Sequence, residues 1–214
     1  MAEARRHASE RTLPRGLYAI TNRNSKRSLA QAVAAALRGG ARTIQYRDKG
    51  SSRARRLREA IEIAKICRGA GAVYIVNDDV ELARAAGADG VHLGRDDVPL
   101  AKARARLGAG RLIGVSCYDS LDRALDARAG GADYVAFGSF FVSSTKPRAA
   151  RASIDLLCDA RAQLDLPIVA IGGVTPDNGA ALVVAGADCI AAVSGVFEQP
   201  DVEAAARRYA ALFE

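Results

Sequence analysis

The sequence predicts an α/β chain folded as a single-domain (βα)8 TIM barrel, and three observations carry that prediction. From Gly16 onward, strand-like and helix-like segments alternate without interruption, eight of each; strict alternation implies a parallel sheet. The chain is 214 residues long, near the short end of what eight βα units require. A short phrase also recurs before every even-numbered strand: GGARTI around Ala41, AGADGV around Ala88, GGADYV around Ala132 and AGADCI around Ala187. Its spacing is roughly two βα units each time, a period that a doubly wound sheet has no reason to keep. Glycine at each preceding helix end suits a left-handed cap, and the small residues allow a tight turn into the strand.

The first strand, GLYAITN, leads through the helix SLAQAVAAALRGG to a strand ending TIQYRDK. Period-two alternation puts Gln45, Arg47 and Lys49 on one face, so an inward row would carry two cations under the barrel mouth. Buried Arg and Lys are rare without partners; the row requires an anion or a structural salt bridge. The next helix, SSRARRLREAIEIAKICRGAG, holds the densest basic run, Arg53, Arg55, Arg56 and Arg58. Glu59 and Glu62 dilute it, as expected of a solvated face.

The stretch VYIVNDDVELARAAGADGVHLGRDD, Val73 to Asp97, reads as strand, helix, strand. Such a unit is parallel and right-handed, so it delivers Asn77-Asp78-Asp79 and Asp96-Asp97 to the same sheet edge. Two carboxylates meeting there can hold a hard cation such as Mg²⁺. The plainer alternative is that Asp78 or Asp79 caps the following helix. Asp97 fits that alternative less well, because Pro99 suits the first helical position and makes Val98 the cap.

Beyond PLAKARARLG, the strand LIGVSCY offers the Ser116 hydroxyl, and SLDRALDARAGG follows as a helix. YVAFGSF then runs into Ser143-Ser144-Thr145, Lys146 and Pro147. Hydroxyls, exposed amides and a lysine in one loop suit phosphate or diphosphate. After the helix SIDLLCDARAQL, the strand IVAIGG ends at Gly172 and Gly173, and Pro176 opens a helix toward the mouth. CIAAVSGVF and the helix DVEAAARRYAALFE close the chain. Glycine-rich turns after strands seven and eight are the usual barrel phosphate site, reinforced by helix N-terminal amides.

Composition narrows the function. Net charge is +7, from 31 basic and 24 acidic residues, which suits nucleic acid or an anionic substrate. Aromatics at 5% with no Trp leave little material for base stacking, so nucleic acid is not the expected partner. No apolar run approaches the ~20 residues of a membrane span. Residues 1–15 lack the apolar core of a secretory signal and read as a disordered tail before a catalytic domain at 16–214. The expectation is a cytoplasmic protein without a membrane partner; a homo-oligomer is left open. Cys67, Cys117, Cys158 and Cys189 form no CxxC or Cys/His cluster, so each is expected to be a small packed side chain. The two histidines are His7, in the tail, and His92, within GVHLG. No Ser-His-Asp or Cys-His constellation emerges.

IQYRDK, VNDDVELARAAGADGVHLGRDD, GVSCYDS, GADYVAFGSFFVSSTKP and IVAIGGVTPDN together resemble the thiamine-phosphate synthase (thiamine-phosphate pyrophosphorylase) family, from about Gly16 to Phe197. The resemblance implies an enzyme, a transferase. It would join hydroxymethylpyrimidine diphosphate to thiazole phosphate, giving thiamine phosphate and diphosphate with Mg²⁺. By position it assigns Gln45, Tyr46, Arg47, Asp48, Lys49, Asn77, Ser116 and Lys146 to the pyrimidine diphosphate. Asp78 and Asp97 would bind Mg²⁺; Ser143, Ser144, Thr145, Gly173, Val193 and Ser194 would hold the thiazole phosphate. Two departures stand out: Ser143-Ser144-Thr145 where a Thr-Pro-Thr-like triplet is frequent, and Arg95-Asp96 where Gln-Glu is commoner. The thiazole nitrogen attacks with a lone pair and carries no proton to remove, so no general base is required. Arg47, Lys49, Ser116 and Lys146 are then the expected catalytic set. The alternatives are a thiazole tautomerase-like relative on the same barrel, which needs an acid–base residue, and another phosphate-binding barrel isomerase or aldolase, which needs a Schiff-base lysine or a Glu/His base.

Overall fold

Successive strand residues point to opposite faces, and in this chain both faces are buried. Residues 12–22, 28–142 and 151–214 are described by the computed structural model. Eight parallel strands close into a barrel in sequence order, β1 bonding β8. They are β1 (Gly16–Ile20), β2 (Ala41–Tyr46), β3 (Val73–Asn77), β4 (Gly90–Leu93), β5 (Leu112–Tyr118), β6 (Tyr134–Phe137), β7 (Ile168–Ile171) and β8 (Cys189–Ala192). The helices are α1 (Leu29–Arg38), α2 (Arg53–Gly69), α3 (Val80–Ala86), α4 (Leu100–Leu107), α5 (Leu121–Ala129), α6 (Ile154–Gln163), α7 (Ala180–Val184), α8 (Ser194–Phe197) and α9 (Val202–Ala210). The predicted barrel is therefore the observed one. The addition is α8, a single turn after β8.

One strand parity packs outward against the helices: Ile44 and Tyr46, Val91 and Leu93, and Val135 and Phe137 all join that core. The other parity fills the barrel, where Tyr18, Ile20, Ile75, Leu112, Tyr134, Val169 and Cys189 form a separate cluster. Leu13 belongs to this inner cluster at 4% exposure, and the Cys189 thiol donates to the Pro14 carbonyl. The expected tail to residue 15 is thus too long at its inner end. Apolar Leu13 gains more by joining the barrel's packed interior than by staying in water.

The repeated phrase has a second use that pattern reading missed. Its second residue is left-handed each time (Gly40, Gly87, Gly131 and Gly186, φ +96, +67, +88 and +110), as the cap prediction required. Its aspartate, however, is a clamp. Asp89, Asp133 and Asp188 accept from the backbone N–H of Tyr74 (2.9 Å), Ile113 (2.6 Å) and Ile168 (2.8 Å). Their own N–H groups donate to the carbonyls of the same three residues. β4, β6 and β8 thereby each grip the start of the odd strand before them. Arg104 and Arg161 neutralise Asp133 and Asp188. Arg42 holds the equivalent position in the first repeat, where β1 pairs with β2 through a register shift.

Cys67, Cys117 and Cys189 are buried as expected, but Cys158 is exposed on α6. No described helix is long and apolar enough to cross a membrane.

Candidate active site

The carboxyl ends of the strands surround a cavity of about 730 Å³, a size suited to a small-molecule ligand. Of the predicted residues, Gln45, Arg47, Asn77, Ser116, Gly173, Val193 and Ser194 all line it. Asn77 also borders an adjoining depression shared with Asp48, Lys49, Asp78 and Asp79. Ser143, Ser144, Thr145 and Lys146 lie outside the described residues.

The acidic run after β3 divides its labour. Asp79 caps α3, its carboxylate accepting from Leu82 N–H at 2.9 Å, and it pairs with Arg56 on α2 at 3.3 Å. Asp78 does not cap. Its backbone is left-handed (φ 64), a conformation Asp tolerates better than most residues. Its N–H donates to the His92 carbonyl on the neighbouring strand, and its carboxylate meets the Lys49 ammonium at 3.1 Å. So the capping alternative holds for Asp79 and fails for Asp78.

Asp97 does not cap α4 either. That helix begins at Leu100 with Pro99 as its N-cap, one residue later than predicted. The Asp97 carboxylate instead accepts from the Gly94 N–H at 2.6 Å. Burial raises its pKa above the usual carboxylate range; the Gly94 bond opposes this, and Asp78 alongside adds to it. An Asp78 carboxylate close enough to raise the proton affinity of Asp97, with the Lys49 ammonium already against Asp78, gives the pair the chemistry of a cation ligand. Among the described residues no group of three or more His, Cys, Asp or Glu side chains could hold a metal. The pair fits a Mg²⁺ that keeps waters and takes phosphate oxygens for the rest of its shell.

Three predicted contacts need correction or refinement. Tyr46 has the outward parity: it is 1% exposed, packed in the outer core, and its hydroxyl donates to Glu59 of α2. It does not face the cavity. Asp48 shapes the turn after β2 by accepting from the Gly50 and Ser51 N–H groups. At Gly173 (φ +65) an added Cβ would lie 2.4 Å from the Val142 carbonyl oxygen. The glycine is required there by packing of the 138–142 segment, whatever a ligand demands. Nor does α7 begin at Pro176. It starts at Ala180, and the Asn178 side chain takes the Thr175 N–H first.

Cavity tyrosines escaped the sequence reading, which also gives His92 no role. Tyr18, His92 and Tyr134 share inward parity with Gln45 and Ser116, and that parity was the available signal. His92 makes no ion pair among the described residues; burial lowers its pKa to about 4, only partly offset by the Asp97 charge. It is a neutral imidazole at neutral pH. Tyr118, left-handed at φ 58, accepts from the Arg95 N–H and lies under the Arg95 and Arg123 guanidinium groups. It braces the segment that presents Asp97.

Known proteins resemble this chain in sequence and fold. The family model described as thiamine monophosphate synthase matches residues 17–196. A thiamine-phosphate synthase of Acidithiobacillus ferrooxidans is 53% identical over 204 residues, covering 92% of this chain and 94% of that protein. One from Thioalkalivibrio sulfidiphilus is 53% identical over 205 residues, covering 94% and 96%. The solved thiamine phosphate pyrophosphorylase from Pyrococcus furiosus superposes with a TM-score of 0.84 at 34% identity, covering 92% and 94%. This chain belongs to the thiamine monophosphate synthase family.

Proposed function

We propose that the chain joins hydroxymethylpyrimidine diphosphate to thiazole phosphate, releasing diphosphate, with the Asp78–Asp97 pair as the seat of Mg²⁺. The family's activity is that of a transferase, thiamine-phosphate synthase. The observation that carries the assignment of sites is the convergence of Asp78, Asp97 and Lys49 at one side of the mouth, beside Asn77 and Arg47.

The reaction breaks the bond between the pyrimidine's methylene carbon and the diphosphate oxygen, which departs with the electron pair. The ring amino group stabilises the resulting cation, and the thiazole nitrogen then closes the new C–N bond with its lone pair. When bound, Mg²⁺ would screen the departing negative charge. Arg47 and Lys49 add fixed positive charge there, and the family resemblance assigns Lys146 the same role; removing one such group costs on the order of 10²–10³ in rate. Lys49 is held in register by Asp78 before a ligand arrives. Val193, Ser194 and the turn at Gly173 bound the opposite wall, which we assign to the thiazole phosphate together with Ser143 to Thr145. Holding the nucleophile in line accounts for the rest of the rate.

The chemistry needs no proton acceptor, which suits His92: half-buried, neutral and bonded at both ring nitrogens. The tautomerase-like alternative would need that histidine, or another acid–base group, free to move a proton. Metal dependence tests the assignment. Mn²⁺ bound in the presence of the pyrimidine diphosphate should be lost in Asp97→Asn and weakened in Asp78→Asn. Parent-like metal affinity in both variants would remove the pair from the mechanism.

A further inference from the structure

Five side chains, each from a different strand, form an unbroken polar line through an otherwise apolar interior. Gln45 Nε2 donates to the Tyr18 hydroxyl at 2.8 Å. Tyr18 and Tyr134 hydroxyls are 2.9 Å apart; Tyr134 reaches His92 Nδ1 at 3.2 Å; His92 Nε2 reaches Ser116 Oγ at 2.8 Å. We propose that this line is a one-way hydrogen-bond chain that holds His92 as its Nε2–H tautomer and makes the Ser116 hydroxyl a donor to the ligand.

Direction follows from counting protons. Tyr18 is 1% exposed and Tyr134 fully buried, so each phenolic proton needs a protein acceptor; leaving one unmade costs about 1–3 kcal/mol. Tyr18 already receives the Gln45 proton and must send its own to Tyr134. Tyr134 can then send its proton only to Nδ1. A neutral imidazole carries one N–H and one bare nitrogen, so the proton sits on Nε2 and is given to Ser116. With the Gln45 amide nitrogen facing Tyr18, a reversed line would leave the Tyr18 proton without a partner. At the far end of the line the Ser116 proton is left unassigned, at the wall of the cavity.

The fold prepares this line at one position. Gly114 sits between His92 on β4 and Tyr134 on β6, and a Cβ there would lie 2.0 Å from the Tyr134 ring. Its bareness lets that ring lie across β5 and stack on His92, centroids 5.6 Å apart.

Ser116 therefore seeks an acceptor on its ligand, a ring nitrogen or a phosphate oxygen, and not an amino group. This consequence rests on the function proposed above; the tautomer does not. The experiment is nitrogen NMR at pH 7 on the full chain with ¹⁵N-labelled histidine, in a His7→Ala background so that a single ring is observed. The expected result is one neutral species protonated at Nε2, with Nδ1 hydrogen-bonded. Tyr134→Phe, a conservative change, should shift the Nδ1 signal to that of an unbonded nitrogen. An Nδ1–H tautomer, a mixture of tautomers, or an Nδ1 signal indifferent to Tyr134→Phe would overturn the chain. In turnover, His92→Leu should raise the KM for the pyrimidine diphosphate about tenfold and spare that for the thiazole phosphate. His92→Gln, whose amide can still donate to Ser116, should recover most of the loss. Equal losses in the two variants would overturn the claim that His92 acts as a donor to Ser116. Failure of both substrates to react in the parent would instead count against the proposed function, and the tautomer read by NMR would still decide the hydrogen-bond chain.

Discussion

Adjacent aspartates at the end of β3 should separate stability from turnover. Asp79→Ala removes the cap of α3, worth about 1 kcal/mol within a range of roughly 0.5–2. It also breaks the half-exposed pair with Arg56, worth about 0–1 kcal/mol. The sum is about 1–2 kcal/mol, which for a chain of this length lowers Tm by roughly 2–8 °C. Turnover should stay within a few-fold of the parent, since Asp79 spends its carboxylate on Leu82 and Arg56. Asp78→Asn should do the opposite. Asn tolerates the left-handed backbone, the lost partner Lys49 has a side chain 62% exposed, and the repulsion felt by Asp97 is relieved. Stability should therefore change by less than about 0.5 kcal/mol, while kcat falls on the order of 10²-fold. Thermal melts and initial rates at saturating substrates, run on both variants, read the contrast. The reasoning is refuted if Asp79→Ala cuts kcat as deeply as Asp78→Asn with no change in Tm, or if Asp78→Asn unfolds the chain and leaves its rate intact.

Three further outcomes follow from the geometry. Asp133→Ala orphans the buried N–H of Ile113 and should cost about 1–3 kcal/mol in denaturant unfolding; a midpoint equal to the parent's would mean the clamp is idle. Gly173→Ala strains a left-handed residue and drives a Cβ into the Val142 carbonyl, so it should lower Tm and harm phosphorylated and dephosphorylated thiazoles alike. A loss confined to the phosphorylated substrate would show ligand contact to dominate there. His92 has its pKa lowered from 6.5 to about 4, so between those values the unfolded chain binds a proton that the folded chain refuses. Stability should then rise with pH across that window, by about 3 kcal/mol in all, and His92→Gln should flatten the slope; an unchanged slope would place the titration elsewhere.

The barrel was legible because its cues are local: alternation of periods and a glycine that must be left-handed at each repeat. Position at the mouth was legible where a side chain sits at a strand's end, as with Gln45, Arg47 and Ser116 around the cavity and Asp78 beside it. What stayed hidden depends on contacts remote in sequence. Tyr18 and Tyr134 look like core aromatics until the barrel closes and brings their hydroxyls together. Tyr46, one residue from Gln45, was placed in the site by its neighbourhood, and strand parity turned it outward to Glu59. The choice between Asp78 and Asp79 as cap could not be made from residue type, because both suit it; the left-handed turn at Asp78 decided it. The clamping role of the repeat's aspartates stayed hidden because their partners, Tyr74, Ile113 and Ile168, lie a βα unit away.

Product stoichiometry tests the central claim most directly. The purified chain is given both substrates, with and without Mg²⁺, and thiamine phosphate and diphosphate are measured together over time. The two products should appear one to one, only with Mg²⁺ present, and at least tenfold more slowly in Asp97→Asn. Diphosphate released without thiamine phosphate, or coupling that proceeds undiminished after the metal is chelated, would contradict the account.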